Sequence, residues 1–399
     1  MTALALLSLA IWLVLLLARG AFWRTAGDML PAATAPAGQD GADAGPILAI
    51  VPARDEADVL PRTLPLLLAQ EVPGGFSVLL VDDHSTDGTA EVARRLAAEA
   101  DLSARLDIVQ SKPLPAGWTG KLWAMRCGLA AADAAGTAAP RILFTDADIA
   151  WQPGALAGLV AESERRGAVL ASLMVRLRAA SAAERWLIPP FVYFFRMLYP
   201  FRWVADPHRR TAAAAGGAML IDRAALQRAG GLAAIRTALI DDVAMGTLMK
   251  REGPVWLGLT KAVHSVRAYA SVGDVRAMVV RSAYAELRYS PWRLLVAIAG
   301  LALTFVVPPV AALWGDGAVA RLAGLAAWAA MALSFAPMAA LYGVGLWRGV
   351  LLPAVAALYG VFTVESAVRS WRGEGGRWKG RIQAATHRGT GLGEGAVPE

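Results

Sequence analysis

The sequence has very few of the residues that form disulfide bonds and zinc sites. Of its 399 residues, one is cysteine, Cys127, and four are histidine. A single cysteine excludes an internal disulfide and a zinc site built from a cysteine cluster. The histidines are scattered and show no HExxH or other paired spacing, which excludes the common zinc-hydrolase motif. We therefore expect a protein of a reducing compartment whose chemistry depends on other side chains.

Charged residues are also scarce, at 18% of the chain, whereas hydrophobic residues make up 56%. This composition is too apolar for an ordinary soluble enzyme. Lys and Arg outnumber Asp and Glu by 39 to 32, an excess that suits nucleic acid, an anionic membrane surface or a phosphorylated substrate. The basic residues gather beside apolar segments rather than among base-stacking aromatics, so we expect a membrane and no nucleic-acid partner.

The first long apolar run, residues 2–18, contains no charged residue and is followed by Arg19 and Arg24. In a cleaved signal peptide, which is the alternative, basic residues would precede the run. We therefore predict an uncleaved transmembrane anchor over residues 1–24. Basic residues after a span favour the cytoplasmic side, so the domain that follows is expected to face the cytoplasm.

Three further apolar blocks lie in a predicted C-terminal membrane region, residues 291–368: Leu294–Leu313, Leu322–Tyr342 and Val350–Val364. The first contains Pro308-Pro309, and the third is short and contains Pro353, so either is a candidate for a re-entrant or interfacial segment. If every block crossed, the tail at residues 369–399 would lie on the opposite side of the membrane from residues 47–290. This tail is predicted to be basic and then flexible, and basic residues prefer the cytoplasmic side. We expect a multi-pass protein of the inner (cytoplasmic) membrane in which one C-terminal block does not cross.

A region of alternating strands and helices lies between the apolar segments. It is preceded by residues 25–46, which are rich in Ala, Gly and Pro and are predicted to be a linker. Apolar runs at residues 47–53, 77–83, 106–111 and 142–144 are predicted strands, and amphipathic helices separate them. This alternation predicts an α/β fold with a doubly wound sheet.

Polar clusters follow four predicted strands, at Arg54-Asp55-Glu56, Asp82-Asp83, Lys112, and Asp146 with Asp148. In doubly wound sheets the ligand crevice lies beyond the carboxyl ends of the strands. No GxGxxG follows the first strand, which argues against a dinucleotide site. Mg²⁺ and Mn²⁺ bind carboxylate oxygens together with substrate phosphates, so the pattern indicates a metal–nucleoside diphosphate site. A solvated turn after a strand is the alternative.

Five segments occur in the order and spacing of the family 2 glycosyltransferases: VPARDEADVLPRTLPLLLAQ, VDDHSTDGT, GKLWA, FTDADI and IDDVAMG. The resemblance covers about residues 45–290. With the segment RSAYAELRYSP, it is closest to the membrane-bound hopanoid-associated (hopene-associated) branch. It implies a GT-A fold with a mixed sheet over residues 47–290, a nucleotide-sugar donor, a divalent metal and inversion at the anomeric carbon.

The resemblance also implies roles for individual donor-side residues. Asp83 resembles the carboxylate that contacts the donor's base or ribose, with Asp55 beside it where the family commonly has Asn. Asp146 and Asp148 resemble the DxD pair that holds Mg²⁺ or Mn²⁺, and Asp148 is the better candidate for the direct ligand. Lys121 resembles a donor-site lysine, and a solvated residue in the first turn of a helix is the alternative.

On the acceptor side, Asp242 resembles the general base, and Asp241 precedes it in the same acidic pair. Either residue could instead be an ordinary helix N-cap. Gly216 and Gly217 would let the backbone approach the sugar closely. Arg288 lies in the segment AELRY, at the place of the QxxRW motif of processive relatives. It is therefore a candidate for binding the donor diphosphate, and a plain salt bridge is the alternative. This departure favours transfer of a single sugar.

Taken together, these observations predict a membrane-anchored, inverting glycosyltransferase that moves a hexose from a nucleotide sugar, expected to be a UDP-sugar, to a lipid acceptor. A hopanoid-pathway acceptor is implied by the branch resemblance alone. Two alternatives come from other classes: a membrane-bound nucleotidyltransferase and a non-catalytic, transferase-like membrane protein.

The metal assignment leads to a first prediction. Replacing Asp148 by Ala should abolish metal-dependent donor binding, because the ion would lose the carboxylate expected to ligate it directly. The measurement is the affinity for UDP in the presence of Mn²⁺. An unchanged affinity would show that Asp148 is not a metal ligand.

Overall fold

The computed structural model describes residues 1–31 and 45–374, together with the backbone of residues 377–378 and 381–382. Residues 32–44 of the predicted linker and most of the predicted tail lie outside this description. The strands are β1 (Ile47–Ala53), β2 (Phe76–Asp82), β3 (Leu106–Gln110), β4 (Arg141–Thr145), β5 (Ile149–Trp151), β6 (Leu170–Arg176), β7 (Ala218–Asp222), β8 (Val255–Ser265), β9 (Arg377–Trp378) and β10 (Arg381–Ile382).

The helices follow in chain order, with a π-helical turn (Ala302–Val306) joining α11 to α12. They are α1 (Thr2–Ala18), α2 (Leu60–Leu68), α3 (Thr89–Glu99), α4 (Gly120–Ala134), α5 (Ala155–Arg165), α6 (Ala182–Leu198), α7 (Phe201–Ala205), α8 (Arg223–Arg228), α9 (Asp241–Met249), α10 (Val272–Glu286), α11 (Pro291–Leu301), α12 (Val307–Trp314), α13 (Gly317–Tyr342) and α14 (Leu352–Trp371).

Eight strands form one mixed sheet in the order β3-β2-β1-β4-β7-β6-β8-β5. β1 is parallel to β2 and β4, and β2 is parallel to β3, whereas β7 is antiparallel to both β4 and β6. β8 is parallel to β6 and antiparallel to β5. This sheet, with helices on its two faces, confirms the predicted α/β class and the mixed sheet expected of a GT-A fold.

Alternate side chains of β1 enter different hydrophobic cores, as expected of a strand that is buried on both faces. Leu48 and Ile50 lie in the core that contains α4, whereas Ala49 and Val51 lie in the core that contains α2 and α3. Because parallel strands end at the same edge of the sheet, the polar residues after β1 to β4 are brought together there.

The first residues of the predicted linker are folded against the domain. The backbone N–H of Leu30 donates a hydrogen bond to the carbonyl of Leu259 in β8 at 2.7 Å. Asp28 is buried beside Arg196 of α6 and forms an ion pair with it. The linker prediction therefore does not describe residues 26–31, which join α1 to the α/β domain.

Helices α6 (Ala182–Leu198) and α7 (Phe201–Ala205) form a segment that is rich in aromatic and arginine residues. Ser181 and Glu184 form a capping box at the start of α6. The hydroxyl of Tyr193 is hydrogen-bonded to Ser334 of α13, and the ring of Phe194 contacts Phe305. α6 therefore packs between the α/β domain and the C-terminal apolar helices.

Three helical segments are long and apolar enough to cross a membrane: Pro291–Trp314, Gly317–Tyr342 and Leu346–Trp371. α1 is shorter, at 17 residues, and packs along α12 and α13. Its Trp12 indole donates a hydrogen bond to the carbonyl of Thr304 at 2.7 Å. Large apolar side chains on the outer faces of these helices are exposed, Leu17 at 83% among them, as suits contact with lipid.

α14, in the third segment, is attached along helix α10 of the α/β domain. The hydroxyl of Ser366 donates a hydrogen bond to the carbonyl of Val280 and accepts one from the N–H of Tyr284. Glu365 forms an ion pair with Arg276. These contacts attach α14 to the α/β domain, and the expectation that one C-terminal block does not cross stays a prediction.

Helix α4 lies so close to the sheet that only glycine fits at one position. A Cβ atom at Gly128 would lie 2.7 Å from Ile50 Cγ2 and 2.9 Å from Val81 Cγ2. We expect Gly128→Ala to lower the free energy of unfolding by about 1–3 kcal/mol through overpacking. The measurement is the thermal unfolding midpoint in detergent. Gly300→Ala, where the added carbon meets open space, is the matched control, and equal midpoints for the two variants would contradict the expectation.

Candidate active site

One lysine joins carboxylates from two distant parts of the chain at the sheet edge. Lys121, in the first turn of α4, places its Nζ 2.8 Å from Asp146 Oδ1 and 3.2 Å from Asp241 Oδ2. Burial lowers the pKa of Lys121, but the charges of the two aspartates raise it more, so the pKa lies above its ordinary value. The ammonium group is therefore permanently charged at the centre of an acidic cluster.

Asp146 and Asp148 stand together because each is paired with a different cation. Burial raises the pKa of Asp146, Lys121 lowers it, and the charge of Asp148 raises it again, with a net upward shift. Asp148 Oδ2 accepts a hydrogen bond from Arg267 Nε at 2.9 Å. The repulsion expected between two neighbouring carboxylates is thus relieved by Lys121 on one side and Arg267 on the other.

Asp242 lies next to the Lys121 cluster, at the start of α9. Its carboxylate accepts hydrogen bonds from the backbone N–H of Gly216 at 3.0 Å and of Val243 at 2.8 Å. Burial and the charge of Asp241 raise the pKa of Asp242 to about 6, although Lys121 and the two backbone donors lower it. A carboxylate with such a pKa is ionised at neutral pH and can still accept a proton.

The two glycines predicted on the acceptor side have different surroundings. A Cβ atom at Gly216 would lie 3.1 Å from Lys121 Nζ and 3.5 Å from Asp242 Oδ2, so this glycine borders the acidic cluster. A Cβ atom at Gly217 would instead meet Val175 at 3.0 Å, within the core. Gly216 therefore lies at the acidic cluster, whereas a side chain at Gly217 would point into the core.

Arg267 is a site residue that the sequence analysis missed. Besides Asp148, its guanidinium contacts both carboxylate oxygens of Glu56 at 2.9 Å, and Ser265 Oγ donates to Asp148 Oδ2 at 3.1 Å. Arg267 thereby connects the loop after β1 with the DxD loop after β4. The available signal was an arginine directly after a strand, β8, that ends at the same edge of the sheet.

Asp83 and Asp55, predicted to contact the donor, brace the loops after β1 and β2. Asp83 is fully buried, and its carboxylate accepts a hydrogen bond from Ser111 Oγ at 2.7 Å. Arg54 Nη1 donates to the Asp83 carbonyl at 2.6 Å. Asp55 has φ +49° and accepts a hydrogen bond from the N–H of Thr86 at 2.8 Å. These contacts set the shape of the edge where a nucleoside would bind, and the donor roles stay predictions.

Arg288 lies in the exposed turn after α10, with its backbone in the left-handed region at φ +52°. Nearby, the hydroxyl of Tyr199 is hydrogen-bonded to Glu286, which ties the end of α6 to the end of α10. Burial and Glu286 raise the pKa of Tyr199, Asp242 adds to this rise, and Arg288 lowers it. Tyr199, at the end of α6, thus lies within electrostatic reach of both Asp242 and Arg288.

The Asp146–Asp148 pair offers two carboxylates, each paired with a cation, so a metal ion there would need further ligands from a bound phosphate. In the described ranges, no group of three or more Asp, Glu, His or Cys side chains is arranged to hold a metal ion. Mg²⁺ sites commonly use one or two carboxylates together with substrate phosphates. The Asp146 side chain is 35% exposed and that of Asp148 is 11% exposed, so Asp146 is the more open of the two.

Residues 48–229 match the family model described as Glycosyl transferase family 2. The match is to a family 2 glycosyltransferase domain, and it covers less than half of the 399-residue chain. This match confirms the family-level part of the predicted resemblance, on residues that include Asp83, Lys121, Asp146 and Asp148. The hopanoid-associated branch, by contrast, stays a prediction. No curated protein matches the sequence.

Several solved structures resemble the fold. The mannosyltransferase PcManGT from Pyrobaculum calidifontis, solved with GDP-Man and Mn²⁺, shares 20% identity over 92% of this chain and 98% of its own, with a TM-score of 0.51. Mannosyl-3-phosphoglycerate synthase from Rubrobacter xylanophilus shares 21% identity over 61% and 74%, with a TM-score of 0.38. S. aureus TarS residues 1–349, with UDP-GlcNAc, share 14% identity over 88% and 99%, with a TM-score of 0.36. Of these three, the likeness to PcManGT supports the fold alone, because the identity is only 20%.

Arg267 offers a direct test of the bridge between the two loops. Arg267→Gln leaves Asp148 and Glu56 without their guanidinium partner, and we expect a loss of about 1–2 kcal/mol in the free energy of unfolding, since partial exposure screens the charges. The matched control is Arg95→Gln on α3, where the arginine forms an exposed ion pair with Glu99. Thermal unfolding should separate the two variants, and equal midpoints would mean that the bridge is not stabilising.

Proposed function

We propose that this chain is a membrane-associated, inverting glycosyltransferase that transfers a sugar from a nucleotide-sugar donor to a lipid acceptor. The observation that carries the proposal is the acidic cluster of the family 2 domain. Asp242, with a pKa of about 6, lies beside Lys121 and the Asp146–Asp148 pair at the sheet edge. Acid–base, cationic and metal-binding groups are thus collected in one place.

On the donor side, Asp146 and Asp148 are the residues that would hold Mg²⁺ or Mn²⁺. When bound, such an ion supplies positive charge against the donor diphosphate. Lys121 supplies a second positive charge from this chain, and its flexible side chain can exchange the Asp146 carboxylate for a phosphate oxygen. Arg267 holds Asp148 in place through ion pairs with Asp148 and Glu56.

Asp242 is the proposed general base. Its ionised carboxylate takes the proton of the acceptor hydroxyl while the hydroxyl oxygen forms a bond to the anomeric carbon. The bond from that carbon to the diphosphate oxygen breaks on the opposite side, so the nucleoside diphosphate leaves and the configuration inverts. The backbone donors of Gly216 and Val243 orient the carboxylate. A positioned base of this kind contributes on the order of 10²–10⁴ in rate.

The apolar helices support a lipid acceptor, because they would hold the active site beside a bilayer. α6 and α10 both pack on these helices, and their ends are joined through Tyr199 and Glu286, with Tyr199 within electrostatic reach of Asp242. Arg19 and Arg24 after α1 favour a cytoplasmic domain at the inner membrane. If α14 does not cross, the basic tail lies on the same side as the domain, as the positive residues prefer.

Release of nucleoside diphosphate tests the proposal. Detergent-solubilised protein would be supplied with UDP-, GDP- or dTDP-sugars and total membrane lipid, with and without Mn²⁺ or Mg²⁺. We expect metal-dependent release from one donor by the wild type, and a loss of about 10²-fold or more in Asp242→Asn with donor binding retained. Near-normal turnover of Asp242→Asn would exclude the base role, and absence of donor binding by folded wild type would overturn the transferase proposal.

The pKa of Asp242 predicts the pH dependence of the reaction. Only the ionised carboxylate can accept a proton, so the rate should rise with pH and reach half its maximum near pH 6. Because the negative charge of Asp241 raises the pKa of Asp242, Asp241→Asn should move this midpoint to lower pH. The check is kcat measured from pH 4.5 to 8.5. A midpoint that Asp241→Asn leaves in place or moves upward would contradict the assignment.

A further inference from the structure

A separate cavity lies where the apolar helices meet the α/β domain. Its volume is about 360 Å³, and it is lined by Arg24, Thr25, Ala26, Gly27, Arg202 and Pro337. We call it the junction cavity. Its lining comes from the segment after α1, from α7 and from the last turns of α13, so three parts of the chain build it. A volume of this order accommodates a small ligand or a polar headgroup.

Positive charge exceeds negative charge around the junction cavity. Arg24 and Arg202 line it with exposed side chains. Behind them lies Arg196, which is fully buried and donates through Nη2 to the Arg24 carbonyl at 2.7 Å. The neighbouring carboxylate of Asp28 is already paired with Arg196. Nε and Nη1 of Arg196 have no hydrogen-bond partner among the described residues. Because Asp28 balances the charge of Arg196, the excess of positive charge comes from Arg24 and Arg202.

The cavity lies at the ends of α1 and α13 that are nearest to the α/β domain. Arg19, directly after α1, donates from Nε to the carbonyl of Met197 at 3.1 Å. Arg176 of β6 donates to the carbonyl of Tyr342, the last residue of α13, at 3.4 Å. The far ends of the same helices meet elsewhere, where Ala5 packs with Ala323. The cavity is therefore at the boundary between the apolar bundle and the polar domain.

The surroundings of the cavity are typical of the headgroup layer of a bilayer. The Arg24 guanidinium lies 4.9 Å from the ring centre of Trp23, and that of Arg19 lies 4.8 Å from Trp203. Tryptophan and arginine are both favoured at this depth, where the rings meet apolar chains and the cations meet phosphates. Paired rings and guanidiniums at the boundary of an apolar bundle thus indicate where the headgroups would lie.

The wall that carries Arg202 is held in place by a partly buried contact. Lys250, just after α9, donates from Nζ to the carbonyls of Val204 at 2.6 Å and of Asp206 at 2.9 Å at the end of α7. A lysine against terminal helix carbonyls stabilises the helix end. Because α7 is fixed in this way, Arg202 faces the cavity from a rigid support, and a ligand would meet a preformed cationic wall.

We propose that the junction cavity binds the phosphate of an anionic phospholipid headgroup, with Arg24 and Arg202 as the contacting cations. The excess of positive charge favours an anionic ligand. The position at the boundary of the apolar bundle favours a lipid headgroup over a soluble phosphate. This site is distinct from the acidic cluster around Lys121 and does not depend on the proposed transfer reaction. It would fix the height and orientation of the domain on the membrane surface.

The test is lipid binding to the delipidated full-length chain in detergent, followed by native mass spectrometry. Phosphatidylglycerol is titrated against phosphatidylcholine, and glycerol 1-phosphate serves as the soluble phosphate probe. The test variant is Arg24→Gln/Arg202→Gln, and the matched control is Arg94→Gln/Arg95→Gln on the exposed face of α3. All four arginines are exposed, so both double variants should fold, which thermal unfolding would verify.

We expect the wild type and the control to bind phosphatidylglycerol in preference to phosphatidylcholine. The Arg24→Gln/Arg202→Gln variant should lose affinity for phosphatidylglycerol by about thirtyfold, at roughly 1 kcal/mol for each arginine near the membrane surface. Equal binding of phosphatidylglycerol by the two double variants would overturn the proposal. Binding of glycerol 1-phosphate as tight as that of the lipid would also overturn it, because the site would then serve a soluble phosphate.

Discussion

The ammonium group of Lys121 contacts Asp146 after β4 and Asp241 at the start of α9, and the rest of the acidic site depends on it. Without this cation, several carboxylates would lie close together at a poorly solvated edge of the sheet. Their mutual repulsion would favour protonated carboxyl groups or push the side chains apart. With it, the donor-side pair and the acceptor-side pair come close together. The same lysine lowers the pKa of Asp242, which burial and Asp241 raise.

A second constraint is the junction between the α/β domain and the apolar helices. α6 packs on α13 through Tyr193, α10 packs on α14 through Ser366, and the segment after α1 is held by Asp28 and Arg196. These contacts fix the acidic cluster relative to the bundle. The proposed active site, held in this way, would suit an acceptor presented at the membrane, and this links the arrangement of helices to the proposed lipid substrate.

Much of the fold and part of the site could be predicted from the sequence. Apolar runs followed by polar residues indicated β1 to β4 and placed Asp146 and Asp148 at the ligand edge, because parallel strands end together. The partners of these aspartates could not be predicted in this way. Arg267 is 119 residues from Asp148, and it reaches Asp148 only because β8 pairs with β5 and β6. Similarly, the contacts of Lys121 with Asp146 and Asp241 depend on how α4 and α9 are oriented.

The most direct test of the central claim is the position of Mn²⁺ in crystals of the full chain grown with a nucleoside diphosphate, located by its anomalous signal. We expect Mn²⁺ at about 2.1 Å from a carboxylate oxygen of Asp146 or Asp148, a distance typical of small divalent ions. We also expect Lys121 Nζ to have moved from Asp146 to a phosphate oxygen. Nucleotide bound away from this edge, or Mn²⁺ coordinated by neither aspartate, would contradict the account.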